Sequence, residues 1–353
     1  MSEINNINNE QHIIIPKELK KQLPLSIKGK ESIFHARQTI NNILIGKNPK
    51  LLIICGPCSV HNINEAIEYS QFLKEISSKI TDNIYIVMRV YFEKPRTIIG
   101  WKGLINDPDM NNSFNINKGL YLARELLLKL VQNNIAIATE VLDPNITHYL
   151  GDLFSWCAIG ARTTESQIHR EIAASLNIPV GFKNNTDGSI NSAINAIKAA
   201  NNQHSFITIN QNGKVCIRHT TGNKHCHVIL RGGKIPNYYA DDIKTCEKNL
   251  ILMGLKPKIM IDCSHGNSNK NFKNQEKVVN SVISQIKQGN KSIFGLMLES
   301  YIHEGNQIID SQNKYSIKYG ISVTDECINL QTTENILHKI YYELKQMPLR
   351  FLS

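Results

Sequence analysis

Missing from these 353 residues is any apolar run near the roughly 20 residues needed to cross a bilayer; Ile293 to Leu298 is among the longest. Missing too is an export signal, because Met1-Ser2-Glu3-Ile4-Asn5-Asn6 is polar and shows no basic stretch followed by an apolar one. Cytoplasmic residence without membrane contact is the expectation. No Gly-x-Gly-x-x-Gly fingerprint and no Walker loop follows a strand-like run, which weakens an open doubly wound sheet. Cys55-x-x-Cys58 has no second Cys-x-x-Cys to complete a zinc knuckle. It also ends a strand-like run instead of opening a helix, which argues against a redox pair. Eight cysteines could staple a small secreted fold, but this chain is large. Cys55, Cys157, Cys226 and Cys263 lie in or beside apolar runs, where a reduced thiol packs as a small hydrophobe. The net charge is +10, yet Lys118, Lys198, Lys244, Lys256 and Lys287 are scattered, with no dense basic block interleaved with aromatics. A nucleic-acid partner is therefore not expected, whereas a positive field suits small anionic substrates.

What the chain does have is alternation. Short apolar runs bounded by Gly, Pro or polar residues read as buried parallel strands at Leu51–Cys58, Tyr85–Tyr91, Ala136–Val141, Trp156–Ala161, Pro179–Lys183, His227–Arg231, Lys258–Asp262 and Ile293–Glu299. Amphipathic segments lie between them, for example Glu65–Lys79, Lys118–Gln132, Ser189–Ala200, Asp241–Met253 and Gln275–Lys287. Strand then helix, about eight times over, predicts an α/β fold of the (β/α)8 TIM-barrel type. A polar, Asn-rich arm and a helix over Glu31–Ile45 precede it, so residues 1–48 form an N-terminal extension and 49–353 the barrel. Phe206–Asn210 and Lys214–Thr220 alternate around Asn212-Gly213, which predicts a β-hairpin inserted at 205–221, before the sixth barrel strand.

In such a barrel all strand carboxyl ends open onto one face, where the chemistry is done. One strand-like run closes on Cys58, one on His265 and one on Glu299, with Asp325 in the segment after the last. Thiolate, imidazole and carboxylate together fit one divalent ion: Mn, Fe, Zn or Co. Arg89, Lys94 and Arg96 follow the second strand, Glu140 ends the third, Arg162 follows the fourth, Lys183 the fifth and Arg231 the sixth. Any one of these cations could be an ordinary surface side chain. Their recurrence at successive strand ends calls for anions, phosphate and carboxylate being the natural partners. His219, His225, Cys226 and His227 form a second tempting cluster, but they belong to the hairpin and the turn after it, with no carboxylate nearby in sequence.

With these residues in place, the chain resembles the 3-deoxy-D-arabino-heptulosonate-7-phosphate (DAHP) synthases of the feedback-regulated bacterial type. The blocks that carry the resemblance run from about Pro16 to the last helix. They include Cys55-Gly56-Pro57-Cys58-Ser59, Arg89-Val90-Tyr91-Phe92-Glu93-Lys94-Pro95-Arg96-Thr97, Gly160-Ala161-Arg162-Thr163-Thr164-Glu165-Ser166, Gly181-Phe182-Lys183-Asn184, Leu230-Arg231-Gly232-Gly233 and Cys263-Ser264-His265-Gly266-Asn267. The resemblance implies condensation of phosphoenolpyruvate with erythrose 4-phosphate, the first step toward aromatic amino acids. It implies that Cys58, His265, Glu299 and Asp325 bind the metal. Phosphoenolpyruvate would be held by Arg89, Lys94, Arg162, Lys183 and Arg231, and the aldose phosphate by Arg96 and Thr97. Lys94 or a water on the metal would handle proton transfer, and Glu140 would order a water near the enol carbon. Cys327 would be placed to crosslink with Cys58 under oxidation. The arm and hairpin match the family's regulatory additions, which bind an aromatic amino acid; Ile209-Asn210-Gln211-Asn212-Gly213 is nearest the tyrosine-sensitive members. A homodimer or homotetramer is implied. The nearest rivals are the sister synthase making 3-deoxy-D-manno-octulosonate 8-phosphate, which the Lys94-Pro95-Arg96-Thr97 block disfavours, and a basic protein that only captures phosphorylated metabolites.

Overall fold

The computed structural model describes residues 10–96, 100–309 and 317–347. Two helices open the chain, α1 (Pro16–Gln22) and α2 (Ile27–Leu44). The barrel then alternates β1 (Leu51–Gly56), α3 (Ile63–Lys79), β2 (Ile84–Arg89), α4 (Ile116–Gln132), β3 (Ile137–Glu140), α5 (Ile146–Leu150), β4 (Trp156–Ile159), α6 (Gln167–Ser175), β5 (Val180–Lys183) and α7 (Asn191–Ala200). A hairpin of β6 (His204–Ile209) and β7 (Val215–Thr220) interrupts it, before β8 (Cys226–Leu230), α8 (Ala240–Leu252), β9 (Ile259–Asp262), α9 (Gln275–Lys287), β10 (Ile293–Glu299) and α10 (Leu330–Lys345). Eight strands close in the order β1-β10-β9-β8-β5-β4-β3-β2, every neighbouring pair parallel, and β6-β7 stands apart as a two-stranded antiparallel sheet. The (β/α)8 barrel and the hairpin expected from the alternation are both there.

Barrel strands are buried on both faces, which is why they read as unbroken apolar runs. All six residues of β1 and all seven of β10 are buried. One set of side chains, including Leu52, Ile54, Val87, Ala138, Trp156, Ile229, Met260 and Phe294, fills the interior. The alternate set, among them Ile53, Met88, Ile137, Val228 and Ile261, packs outward under the helices. Helix α2 joins the interior set through Ala36, Ile40, Ile43 and Leu44. Its start is capped by the Ser26 hydroxyl, which accepts from the Gly29 backbone N–H. Burying Ile40 and Ile43 against the barrel contributes roughly 1.5–3 kcal/mol each. The helix ahead of the barrel thus acts as part of its floor.

Helices α5 and α6 did not stand out in the sequence because they are short. The 5 residues of α5 and the 9 of α6 give little periodicity to count. The hairpin leans on them. His148 Nε2 meets Thr208 Oγ1 at 2.9 Å, and Thr220 Oγ1 donates to Ala174 O at 2.5 Å. The arm reaches the same place, where the Lys17 backbone N–H donates to Gln211 O and Tyr149 Oη donates to Ile14 O. Among the described residues, no helix is long and apolar enough to span a membrane.

Candidate active site

Register brings the donors together. Gly56 pairs with Glu299 across β1 and β10, so Cys58, two residues further on, falls beside that carboxylate. Met297 pairs with Asp262 on β9, and the chain turns directly after it to present His265. Asp325 arrives from the long segment after β10, which folds back through bridges between Ser300 and Ile328 and between Gly305 and Cys327. Ser59 Oγ and Thr324 Oγ1, 2.8 Å apart, tie that segment to the end of β1.

Ligand atoms of Cys58, Glu299 and Asp325 all lie within 4.8 Å of one another. His265 Nε2 is 3.9 Å from Glu299 Oε1 and 3.9 Å from Asp325 Oδ2, so the imidazole faces the same point. Cys58 is fully buried, whereas the Asp325 carboxylate is 67% exposed to the open mouth. Burial, followed by the Glu299 carboxylate, pushes the Cys58 thiol up to about 12. A buried sulfur crowded by two carboxylates and an imidazole is a set that a divalent cation neutralises, so these residues fit the metal that the sequence implied. The second His/Cys cluster does not assemble. His227 Nε2 accepts from Trp156 Nε1 at 3.2 Å within the barrel, while His219 Nδ1 meets Ser205 Oγ on the hairpin.

Around the donors lies a cavity of about 350 Å³, lined by Arg89, Lys94, Arg96, Glu140, Arg162, Lys183 and Arg231 together with His265, Glu299 and Asp325. Every described cation expected at the rim is present. Thr97 lies outside the described residues. Lys94 is fixed by the backbone, since its N–H donates to Lys102 O at 2.9 Å. Gly103 makes that pairing possible: a Cβ there would sit 1.9 Å from Phe92 O, and its φ is +118°. Burial works against the Lys94 ammonium, but the Cys58 sulfur and the Glu299 and Asp325 carboxylates outweigh it and raise its pKa. Arg96 is exposed, with Nε donating to Trp101 O at 2.9 Å. Glu140 lies over Gly160, where a Cβ would come within 2.1 Å of its Oε1.

Arg89 stands differently from the other cations. It is 1% exposed, donates to Glu299 Oε1 at 2.9 Å and to Pro57 O at 3.0 Å, and lies 3.6 Å over the Tyr91 ring. It holds a candidate ligand as well as lining the cavity. The sequence reading passed over Asp262. Its carboxylate is wholly buried at the end of β9, 2.8 Å from Lys183 Nζ and 2.9 Å from His265 Nδ1. Burial opposes its ionisation, but His265 and Lys183 more than offset this and hold the carboxyl well below its usual range. The available signal was an acidic residue ending an otherwise apolar strand, Ile259-Met260-Ile261-Asp262.

Fold and mouth define a class: a barrel enzyme whose strand ends gather cations around a mixed sulfur, nitrogen and oxygen donor set. Residues 21–338 match the DAHP synthetase I family. The chain is 54% identical over 338 residues to the Tyr-sensitive phospho-2-dehydro-3-deoxyheptonate aldolase of Escherichia coli (strain K12), covering 96% of this chain and 95% of that one. A phenylalanine-inhibited aldolase of Saccharomyces cerevisiae (strain ATCC 204508 / S288c) is 48% identical over 328 residues, 91% of this chain and 88% of its own. The solved phospho-2-dehydro-3-deoxyheptonate aldolase of Francisella tularensis SCHU S4 superposes with a TM-score of 0.93 at 43% identity, covering 96% of this chain and 99% of that one. This chain belongs to the DAHP synthetase I family and is an enzyme, a carbon–carbon bond-forming transferase of aromatic amino acid biosynthesis.

Proposed function

We propose that this chain condenses phosphoenolpyruvate with D-erythrose 4-phosphate to give DAHP and phosphate, using one divalent metal ion held by Cys58, His265, Glu299 and Asp325. The carrying observation is that these four side chains face one point inside a mouth ringed by Lys94, Arg162, Lys183 and Arg231. Two phosphates and a carboxylate need that collar, because anions gathered in a partly buried cavity repel one another unless paired.

Phosphoenolpyruvate takes Arg89, Lys94, Arg162, Lys183 and Arg231, while Arg96 and Thr97 take the aldose phosphate. When bound, the metal supplies a Lewis acid that polarises the aldehyde oxygen toward attack by the enol carbon. The collar holds the two substrates in attack geometry, which removes much of the entropic barrier. Lys94, kept protonated by the anions around it, donates the proton that the aldehyde oxygen needs as the bond forms. Glu140, on the cavity wall, orients a water near the enol carbon.

The reading extends to feedback by an aromatic amino acid. Tyrosine is favoured by the identity with the Tyr-sensitive relative. Support comes from a cavity of about 220 Å³ where the arm (Ile13), the hairpin (Ile209) and α5 (Ile146, Tyr149) meet, with Glu93, the neighbour of Lys94, also on its wall. Residues 1–48 then serve regulation and assembly into a homodimer or homotetramer, in the cytoplasm where both substrates arise. The test is phosphate release from phosphoenolpyruvate by purified protein, with erythrose 4-phosphate or arabinose 5-phosphate, before and after chelation. Release with the four-carbon sugar only, lost on chelation and restored by Mn(II), is expected. Equal release with the five-carbon sugar, or full activity in chelator, would refute it.

A further inference from the structure

Asp262 neither lines the cavity nor belongs to the proposed donor set, yet it contacts a member of each. Its Oδ2 takes Lys183 Nζ at 2.8 Å and His265 Nδ1 at 2.9 Å. Its Oδ1 takes the Ser264 backbone N–H at 3.0 Å and the Ser264 hydroxyl at 2.6 Å. Both oxygens are therefore used, and the residue is 0% exposed to bulk solvent. An ionised carboxylate only accepts, so Nδ1 is the His265 nitrogen that donates to it, and Nε2 is the nitrogen turned toward Glu299 and Asp325.

The backbone at this point is itself constrained. His265 has φ +54°, an uncommon region for a residue with a side chain. It persists only where the surroundings over-determine it. Here Lys270 N–H donates to His265 O at 2.7 Å, and Asp262 with the Ser264 hydroxyl, 2.8 Å from Nδ1, grips the ring. Lys183, 4% exposed, is aimed into the cavity by the same carboxylate.

We propose that Asp262 is a positioning residue that couples the two halves of the site, so that metal bound through His265 and phosphoenolpyruvate bound through Lys183 strengthen each other by way of one shared carboxylate. The inference rests on the proposed roles of those two residues and deepens them. By reciprocity, whatever factor the metal adds to phosphoenolpyruvate affinity, phosphoenolpyruvate adds to metal affinity. Asp262→Asn keeps the shape but removes the charge and turns one acceptor into a donor. Loss of a carboxylate behind a ligating histidine costs typically 10–100-fold in metal affinity.

The experiment measures Co(II) binding by calorimetry and by the thiolate-to-cobalt absorption band, with and without phosphoenolpyruvate, in the wild type, Asp262→Asn and Ser264→Ala. In Asp262→Asn we expect the thiolate band retained with Cys58, a roughly 10–100-fold weaker Co(II) affinity, and no mutual strengthening with phosphoenolpyruvate. Ser264→Ala, which loosens the same carboxylate, should show a smaller fall of both quantities, and it carries the test should Asp262→Asn not fold. Wild-type Co(II) affinity and undiminished coupling in either folded variant overturn the proposal and leave the ligand assignment standing. A wild type that binds Co(II) with no thiolate band overturns the assignment and the proposal with it.

Discussion

Replacing Arg89 with Met tests whether the mouth is electrostatically balanced in the way its geometry requires. The guanidinium and the Glu299 carboxylate are each 1% exposed and 2.9 Å apart, so each depends on the other as its nearest opposite charge. Removing one partner of such a pair leaves a buried charge uncompensated, at a cost of about 3–5 kcal/mol. The contact over Tyr91, at 3.6 Å, adds ~1–2 kcal/mol, and the Met side chain returns a similar amount through packing. For 353 residues, a net loss of about 3–5 kcal/mol corresponds to a fall in Tm of roughly 4–7 °C. Thermal unfolding by circular dichroism in chelator measures it, alongside Glu299→Gln and the double variant. Because the double variant has no buried charge left at that position, it should be more stable than Arg89→Met alone, a coupling of at least ~1 kcal/mol. Adding Mn(II) should recover more of the loss in Arg89→Met than in the double variant, since only the former keeps all four proposed ligands. If Arg89→Met unfolds within about 2 °C of the wild type, or if the two losses simply add, the balance described here is wrong.

Further outcomes follow from other residues. Burial and the neighbouring Asp143 raise the Glu93 carboxyl to about 8, so the folded chain holds a proton there that the unfolded chain releases near pH 4.3. Stability should therefore fall as pH rises from about 4.3 to about 8, by roughly 2–5 kcal/mol from this group, and Glu93→Gln should flatten the urea-denaturation profile over that window. Burial, then Arg218 and Lys20, lower the His148 imidazole to about 4, so stability is lost as pH falls from ~6.5 toward that value. Amide protection factors in β6 and β7, with rates corrected for the intrinsic pH dependence of exchange, should fall on going from pH 7 to pH 5 in the wild type and less in His148→Gln. Gly103→Ala forces a Cβ against Phe92 O and should lower kcat/KM by ~10–100-fold by displacing Lys94, with far-ultraviolet circular dichroism unchanged. Inhibition assays with Tyr, Phe and Trp separately should show Tyr strongest; inhibition by Phe or Trp alone would reverse the effector assignment.

Much of this molecule was written along the chain. Doubly buried strands have to be apolar throughout, so eight of them showed as runs, and the residue types closing them pointed to candidate donors and cations at one mouth. The Asn212-Gly213 turn did the same for the hairpin, because few other pairs adopt its backbone, and Gly213 indeed has φ +72°. What linear order could not express is pairing across space. That Gly56 lies level with Glu299, that α2 closes the barrel floor, and that Arg89 spends its hydrogen bonds on Glu299 depend on strand register and closure, which involve residues far apart in sequence. Asp262 shows this most sharply. An aspartate at a strand end is chemically ordinary, and only the closed barrel, by stripping water from it and setting Lys183 and His265 on one oxygen, makes it the residue on which two ligands depend.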